Sequence, residues 1–510
     1  MARLRSFAFV HVSTRTSTRL LGILVLQLGA CAHYQHYQPA PLPVSSAATA
    51  FTARRLDDPG LARLLAAHGV AAHGVAAHRV ATHDTAWDSR QIALAALYFR
   101  PDLTEAQRAI AVARAAEITA GVRPYPSVTA TAGRASRVTE GRSTPWSFSL
   151  TTGFTLERGG KRGARIARAR AATLAAQLHL ESTAWHAVMD ARASTLTAIG
   201  ADVDLADARA ELAQLRTVLA LLRVRYSEGQ IARTDLARSE TDVQSAAVAS
   251  TQALRARTDA RAALARALAL PVREVDTLSL GPDARSACGV ADSLPLDTLE
   301  ALALRTRPEV GVALADYAVA ESDLHVQIAQ QYPDIVLGPG LAWDQGVRSW
   351  VLSLGLPNVP IDRARGPIAE AVARRAVQAA RVLVVQDSVL AAVDSSAAAC
   401  RTADREVAIA DSLFRAADEQ LTLARAAYQR GEIGKTEIAL AQLALIRAER
   451  PRHQAVQRRM AAGAALENAT GGWLSGAPID WQDLIMPDDS LGDSLGDSLG
   501  HRIDRAHGYE

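Results

Sequence analysis

The sequence predicts a mainly α-helical chain with a small β part, built from a helix–strand–strand–long helix–helix unit that occurs twice. Three observations predict it. Five landmarks recur in the same order about two hundred residues apart. Residues 161–226, and 365–428 apart from Pro367 in the first turn, contain no proline and read as very long helices. Ahead of each lie two short segments that alternate apolar and polar residues with period two, the signature of strands.

The chain has 510 residues, 49% of them hydrophobic but only 5% aromatic, which favours helices packed closely through alanine. The net charge is +3 and no basic block interleaves with aromatics, which excludes nucleic acid as a partner class. No H-E-x-x-H, no G-x-S-x-G and no catalytic pair of carboxylates appears, so the sequence predicts neither enzyme nor cofactor.

Arg3, Arg5, Arg15 and Arg19 precede the apolar run LLGILVLQLGAC at residues 20–31. A basic region followed by so short an apolar run reads as an export signal. Its last four residues, Leu28, Gly29, Ala30 and Cys31, resemble the lipobox of bacterial lipoproteins. That resemblance implies cleavage before Cys31, acylation of its sulfur and, with Ala32 rather than aspartate following, sorting to the outer membrane. Cys288 and Cys400 are the remaining cysteines, far apart and outside any C-x-x-C; burial and pairing in an oxidising periplasm both fit them.

The duplication is read from paired motifs. Arg100-Pro101-Asp102-Leu103 is echoed by Arg307-Pro308-Glu309-Val310, and Tyr125-Pro126 by Tyr332-Pro333. Trp146 matches Trp350, and Arg162-Gly163 matches Arg365-Gly366. Finally, YSEGQIARTDLA at 226–237 matches YQRGEIGKTEIA at 428–439. Five landmarks in order mean one duplicated unit. The expected organisation is a lipoprotein signal at 1–30, a tether and histidine-containing low-complexity segment at 31–87, a first repeat at 88–270, a linker at 271–295, a second repeat at 296–473 and a disordered tail at 474–510.

Each repeat opens with a helix, at about 88–122 and 296–330, where an arginine-proline pair suits a helix start. The tyrosine-proline pairs end it. In the strand WSFSLTTGFTL, Trp146, Phe148, Leu150, Phe154 and Leu156 share one face, interrupted only by Thr152. In the second repeat Ile335, Leu337, Leu341 and Trp343 alternate, as do Trp350, Leu352, Leu354 and Leu356. Strands of this length with an apolar face suit a transmembrane barrel. Four strands cannot close one, and an open edge cannot face lipid. Three copies give twelve strands, so the expected assembly is a homotrimer.

Each long helix extends ~100 Å at 1.5 Å per residue. Leu205, Ala208, Leu212, Leu215, Leu219 and Leu222 fall on heptad a and d positions, a coiled-coil seam. At each far end a glycine, Gly229 or Gly431, lets the helix reverse. Thr234 and Asp235 are expected to start the returning helix, as are Thr436 and Glu437. Gly434-Lys435-Thr436 superficially matches a phosphate loop, but the required earlier glycine is Gln429 and no strand precedes it. His68, His73, His78 and His83 recur every five residues. On a helix they would point about 140° apart, so metal binding would need an irregular loop.

At this point the chain resembles the TolC-like outer-membrane efflux protein family over roughly residues 88–473. The duplicated unit, the R-P-[DE] helix starts, the Y-P strand entries and the paired Y-x-x-G-x-I-x-[RK]-T-[DE] turns carry the likeness. It implies a trimeric 12-stranded outer-membrane barrel continued by a long α-helical coiled-coil periplasmic tunnel. It also implies a role as the passive exit duct of a tripartite pump, joined to a periplasmic adaptor and an inner-membrane transporter of RND or other type. By position, the resemblance implies that Gly229, Gln230, Ile231, Gly431, Glu432 and Ile433 meet the adaptor. Asp235 and Glu437 would line the periplasmic aperture, although Leu440 stands where a second acid often does. The stretch LERGGKRGARIARA at 156–169 resembles the heavy-metal efflux branch; its counterpart near 358–371 lacks the double glycine. The competing readings are a drug or peptide duct, a periplasmic coiled-coil lipoprotein without a channel, and a histidine-based metal-binding protein.

Overall fold

The computed structural model describes residues 37, 39–41, 44–69, 86–281, 287–291, 294–357, 362–472 and 474. The export signal, Cys31, His73, His78, His83 and the tail beyond 474 lie outside the described residues.

Helix α1 (Val44–Thr52) buries no side chain. Helix α2 (Pro59–Ala67) begins with Asp58 accepting from the Gly60 amide at 2.8 Å. The segment read as tether and low-complexity thus contains two short helices.

In the first repeat, α3 (Ser89–Phe99) and α4 (Pro101–Gly121) lead into β1 (Ser127–Arg134) and β2 (Trp146–Leu156). The long helix α5 (Lys161–Ser227) and its return α6 (Arg233–Ala267) follow. Two short helices, α7 (Val272–Asp276) and α8 (Cys288–Ala291), lie between the repeats. The second repeat runs α9 (Leu296–Thr306), α10 (Pro308–Ala329), β3 (Ile335–Asp344), β4 (Val347–Gly355), α11 (Arg365–Gln429) and α12 (Lys435–Thr470).

The opening helix expected at about 88–122 is two helices, and so is that at 296–330. Arg100 and Arg307 are extended, because the residue before a proline is pushed out of the helical region. The arginine of each R-P-[DE] motif then folds back onto the acid. Arg100 reaches Asp102 at 2.6 Å, and Arg307 reaches Glu309 through Nε at 2.7 Å and Nη2 at 3.0 Å. The arginine thereby fixes the bend between the two helices.

The four strands form one antiparallel sheet in the order β1-β2-β3-β4, so both outer edges are open. Gln345 and Gly346 make the β3–β4 turn, both with positive φ, as a two-residue hairpin that follows the strand twist requires. Paired residues share a face, and the register aligns Ala130, Leu150, Leu341 and Trp350 in one row and Ala132, Phe148 and Trp343 in another.

Apolar packing concentrates where the short helices meet the long ones. Leu61, Leu65, Trp87, Ile92, Leu264 and Leu268 belong to the first-repeat cluster, and Leu299, Val389, Val393 and Leu466 to the second. A third cluster lies toward the tips: Leu215 and Leu219 of α5, Leu236 and Val243 of α6 and Leu443 of α12, with Leu212 and Leu222 packed against it. The heptad stripe read from the sequence is therefore a real seam.

The repeats meet along α5, with α10 on one side and α12 on the other; the α5–α12 seam carries a ladder of polar contacts. Trp185 Nε1 donates to Asn468 at 3.0 Å, and Arg192 pairs with Glu467. His453 meets Asp207 at 3.0 Å, Arg447 meets Glu211 at 2.8 Å, and Gln214 donates to the Ala439 carbonyl at 2.8 Å. Its last rung is Arg225 to Glu437 at 3.4 Å.

Candidate functional site

Two features stand out: the paired tips of the long helices and the exposed apolar face of the sheet.

The tips are built identically. At the first, Gly229 has φ +74°, its amide donates to Tyr226 O at 2.9 Å, and the Gln230 amide donates to Arg225 O at 2.8 Å. At the second, Gly431 has φ +79°, with Gly431 to Tyr428 O and Glu432 to Ala427 O both at 2.9 Å. These bonds form the Schellman termination, in which a left-handed residue satisfies the last carbonyls of the helix. A side chain at either glycine would meet open space, so the left-handed backbone alone selects glycine. Gly229, Gln230, Gly431 and Glu432 are exposed, whereas Ile231 and Ile433 are half-buried. Arg430 clasps Glu432 across Gly431 at 2.6 Å, and this hydrogen bond holds the Glu432 carboxyl below the usual range.

The returning helices start at Arg233 and Lys435, one residue before the threonines expected to open them. The caps are Ala232 and Gly434; Thr234 and Thr436 lie inside the first turn. The acids at the third helical position differ. Glu437 accepts from the Gly434 amide at 3.0 Å and also pairs with Arg225. Asp235 is exposed and has no side-chain partner among the described residues. Arg225 was not singled out by sequence reasoning. The available signal was that its twin position holds Ala427, a break in the repeat symmetry.

On the sheet, Trp146, Phe148, Leu150, Phe154 and Leu156 of β2 are 45–53% exposed. On the edge strand β4, Trp350, Leu352 and Leu354 reach 88%, 75% and 71%. Phe148 stacks on Trp146 and on Trp343, with ring centroids 6.2 and 5.6 Å apart. Thr152, the one polar residue in the stripe, donates its hydroxyl to the Pro339 carbonyl at 3.1 Å. The β2–β3 pairing skips these residues, passing from Thr151↔Gly340 to Phe154↔Leu337. Pro339 has no amide to donate to that ladder, and its carbonyl is bonded by the threonine hydroxyl. The opposite face carries mostly small and hydroxyl side chains, among them Thr129, Thr131, Ser147, Ser149, Thr151, Gly338 and Gly340, with Val336, Val347 and Val351 interspersed.

The strand-to-helix junctions are also twins. Gly159 and Gly160 both have positive φ, and Lys161 Nζ anchors the turn on Asp334 at 2.8 Å. In the second repeat Arg363 and Ala364 adopt the same left-handed pair, at φ +54° and +55°. The lost double glycine therefore changed the residues but not the turn.

His68 ends α2, with Nδ1 2.9 Å from the Leu64 carbonyl, so one of its nitrogens is engaged with backbone. Among the described residues no group of three His, Cys, Asp or Glu side chains is placed to hold a metal ion.

A family model for outer membrane efflux proteins matches residues 93–270 and 299–472, one block per repeat and more than half the chain. No curated protein matches the chain in sequence. Several solved structures share its fold. A membrane protein from Pseudomonas aeruginosa has a TM-score of 0.59 at 22% identity, covering 75% of this chain and 92% of its own. The outer membrane protein VceC of Vibrio cholerae has 0.60 at 17% identity, covering 76% and 96%. The MtrE outer membrane channel of Neisseria gonorrhoeae has 0.57 at 20% identity, covering 76% and 89%. With its duplicated repeats, open four-stranded sheet and paired helical tips, the chain belongs to the outer membrane efflux protein family.

Proposed function

We propose that the protein is the outer-membrane duct of a tripartite efflux pump, a homotrimer that passes substrate without chemistry or cofactor. The observation that carries this reading is the sheet: one face predominantly apolar and largely exposed, the other richer in hydroxyl and small side chains, and both edges open. An open apolar sheet in water is an aggregation hazard. Three copies joined edge to edge would satisfy every strand and present the apolar face to lipid. Helix α11 also supports it. It contains a stretch apolar enough to cross a membrane, largely exposed within one chain. At 65 residues it is several times too long to be a bilayer span, so a neighbouring copy is the fitting cover.

In this reading Cys31 carries the lipid anchor. The turns at Gly229, Gln230, Ile231 and at Gly431, Glu432, Ile433 receive the periplasmic adaptor, behind which stands an inner-membrane transporter. Asp235 and Glu437 border the aperture, with Arg225–Glu437 as a closing contact. A heavy-metal cargo is favoured only by the 156–169 junction.

The test is crosslinking of the detergent-extracted protein together with conductance in planar bilayers. Trimers and discrete channels are expected, with higher conductance in Asp235→Ala/Glu437→Ala. A non-conducting monomer or dimer that stays soluble without detergent would favour the coiled-coil spacer instead.

A further inference from the structure

Cys288 and Cys400 are joined by a disulfide with Cα atoms 5.1 Å apart and a sequence separation of 112 residues. Both are fully buried in the second repeat's apolar cluster. Cys288 opens α8, between the repeats, and Cys400 lies midway along α11. The bridge therefore ties the inter-repeat segment to the long helix.

The first repeat secures its equivalent end without a bridge. Leu56, Leu61, Leu65 and Trp87, from the chain preceding α3, pack there with Leu270 and Val275 from the chain following α6. The second cluster is poorer in bulky groups, relying on Leu299, Val310, Val389, Val393 and Leu466 among alanines. Its only described contribution from the inter-repeat segment is Cys288 itself. Val275 fastens the start of that segment to the first cluster, but among the described residues little apolar area holds its end around Cys288, and a crosslink closing a long loop limits the alternatives open to the unfolded chain.

We propose that the Cys288–Cys400 bridge is an export-dependent staple, made by a periplasmic protein disulfide oxidant, that holds the inter-repeat segment against α11. It rests on the reading that the chain is exported. The thiolate of one cysteine attacks the oxidant's disulfide, forming a mixed disulfide and releasing one oxidant thiol. The thiolate of the other cysteine then attacks the mixed disulfide at the protein sulfur, forming the bridge and releasing the second oxidant thiol. Two electrons and two protons pass from the cysteines to the oxidant. Since both sulfurs end fully buried, oxidation precedes closure of this core.

The experiment uses the full chain from the membrane fraction, denatured and alkylated with a maleimide-polyethylene glycol before and after reduction. Reduction is expected to expose two further thiols. In native detergent extracts, cleavage within 271–295 by a dilute protease should be at least fivefold faster in Cys288→Ala, in Cys400→Ala and in the double variant, with the three rates equal. Two thiols reactive without reduction would overturn the proposal. So would wild-type cleavage rates in the variants, or single effects that multiply in the double, which assign the loss to packing. Channel conductance is read separately, so a conducting trimer with free thiols would sink the staple and leave the duct reading standing.

Discussion

Arg192 of α5 and Glu467 near the end of α12 form an ion pair from which water is excluded, their side chains 5% and 0% exposed. The pair crosses from one repeat to the other. Removing one member strands the other charge in an apolar, alanine-rich seam, whereas replacing both with apolar groups of similar size need not destabilise. Arg192→Met is expected to cost about 3–5 kcal/mol. Arg192→Met with Glu467→Leu should recover most of that loss. Thermal unfolding of the two variants checks it, and a double variant no more stable than the single would contradict the account.

A softer ionic contact crosses the same boundary on the other side of α5. His186 Nε2 lies 3.1 Å from Glu309, and His179 lies 3.3 Å from Asp316 one heptad away. The hydrogen bond to Glu309 raises the His186 pKa, against burial and the nearby Arg307. Burial alone would raise Glu309, but hydrogen bonds from His186 and Arg307 hold it at about 2. A raised histidine pKa contributes stability fully present below its ordinary value near 6.5 and lost as pH rises through the folded value. A depressed carboxylate contributes stability present above about 4.5 and lost as pH falls toward 2. The contact therefore stabilises most between about pH 4.5 and 6.5. His186→Gln should flatten the decline on the alkaline side of that window. The effect is on the order of 0.5 kcal/mol, since the imidazole is half exposed and screened. Melting temperatures at pH 5.5 and 8 for wild type and variant measure it.

Much of this architecture was legible because repetition and periodicity are local signals. The boundaries of α5 and α11, the apolar stripe from Trp146 to Leu156 and both tip glycines follow from spacing alone. The break at Arg100 and Arg307 is also written in the sequence, in the restriction a proline places on its predecessor, although helix-forming residues on both sides of it read as one helix. Contacts between repeats were not legible. Arg225 finds Glu437 across 212 positions, and nothing local to either residue announces the other. The starts of the returning helices were legible to within one residue, because Thr234 with Asp235 and Thr436 with Glu437 mark the first turn while Ala232 and Gly434 carry no capping side chain to mark the cap itself. For the cysteines, only the three-dimensional fold brings Cys288 beside Cys400.

The twin turns make opposite predictions for glycine. At Gly229 and Gly431 the left-handed backbone is free of steric contact, so alanine meets strain alone. Each substitution is expected to cost about 1–2 kcal/mol, locally, as faster amide exchange at the tip. At Ala364 an alanine already occupies a left-handed position, so Ala364→Gly should stabilise by up to about 1 kcal/mol. Hydrogen exchange for the tips and thermal unfolding for Ala364→Gly separate the two directions. A destabilised Ala364→Gly would mean that the methyl group packs more favourably than the strain costs.

The two faces of the sheet differ most sharply under a charge. Leu352 lies opposite Pro339 on the apolar face, and its neighbour Ser353 lies opposite Gly338 on the hydroxyl face. If the apolar face meets lipid, Leu352→Arg places a guanidinium in the hydrocarbon at a cost of about 2–4 kcal/mol per copy. Three copies multiply that cost in one barrel. Ser353→Arg would instead point into water, although it must clear the close approach of the Ser353 side chain to Gly338. Leu352→Arg is therefore expected to abolish heat-resistant assembly in outer-membrane extracts, while Ser353→Arg assembles and lowers conductance by narrowing the lumen. A soluble protein with the same sheet packed against a partner predicts a different pattern, in which neither variant changes membrane association. Normal assembly of Leu352→Arg would remove the lipid-facing assignment of β4.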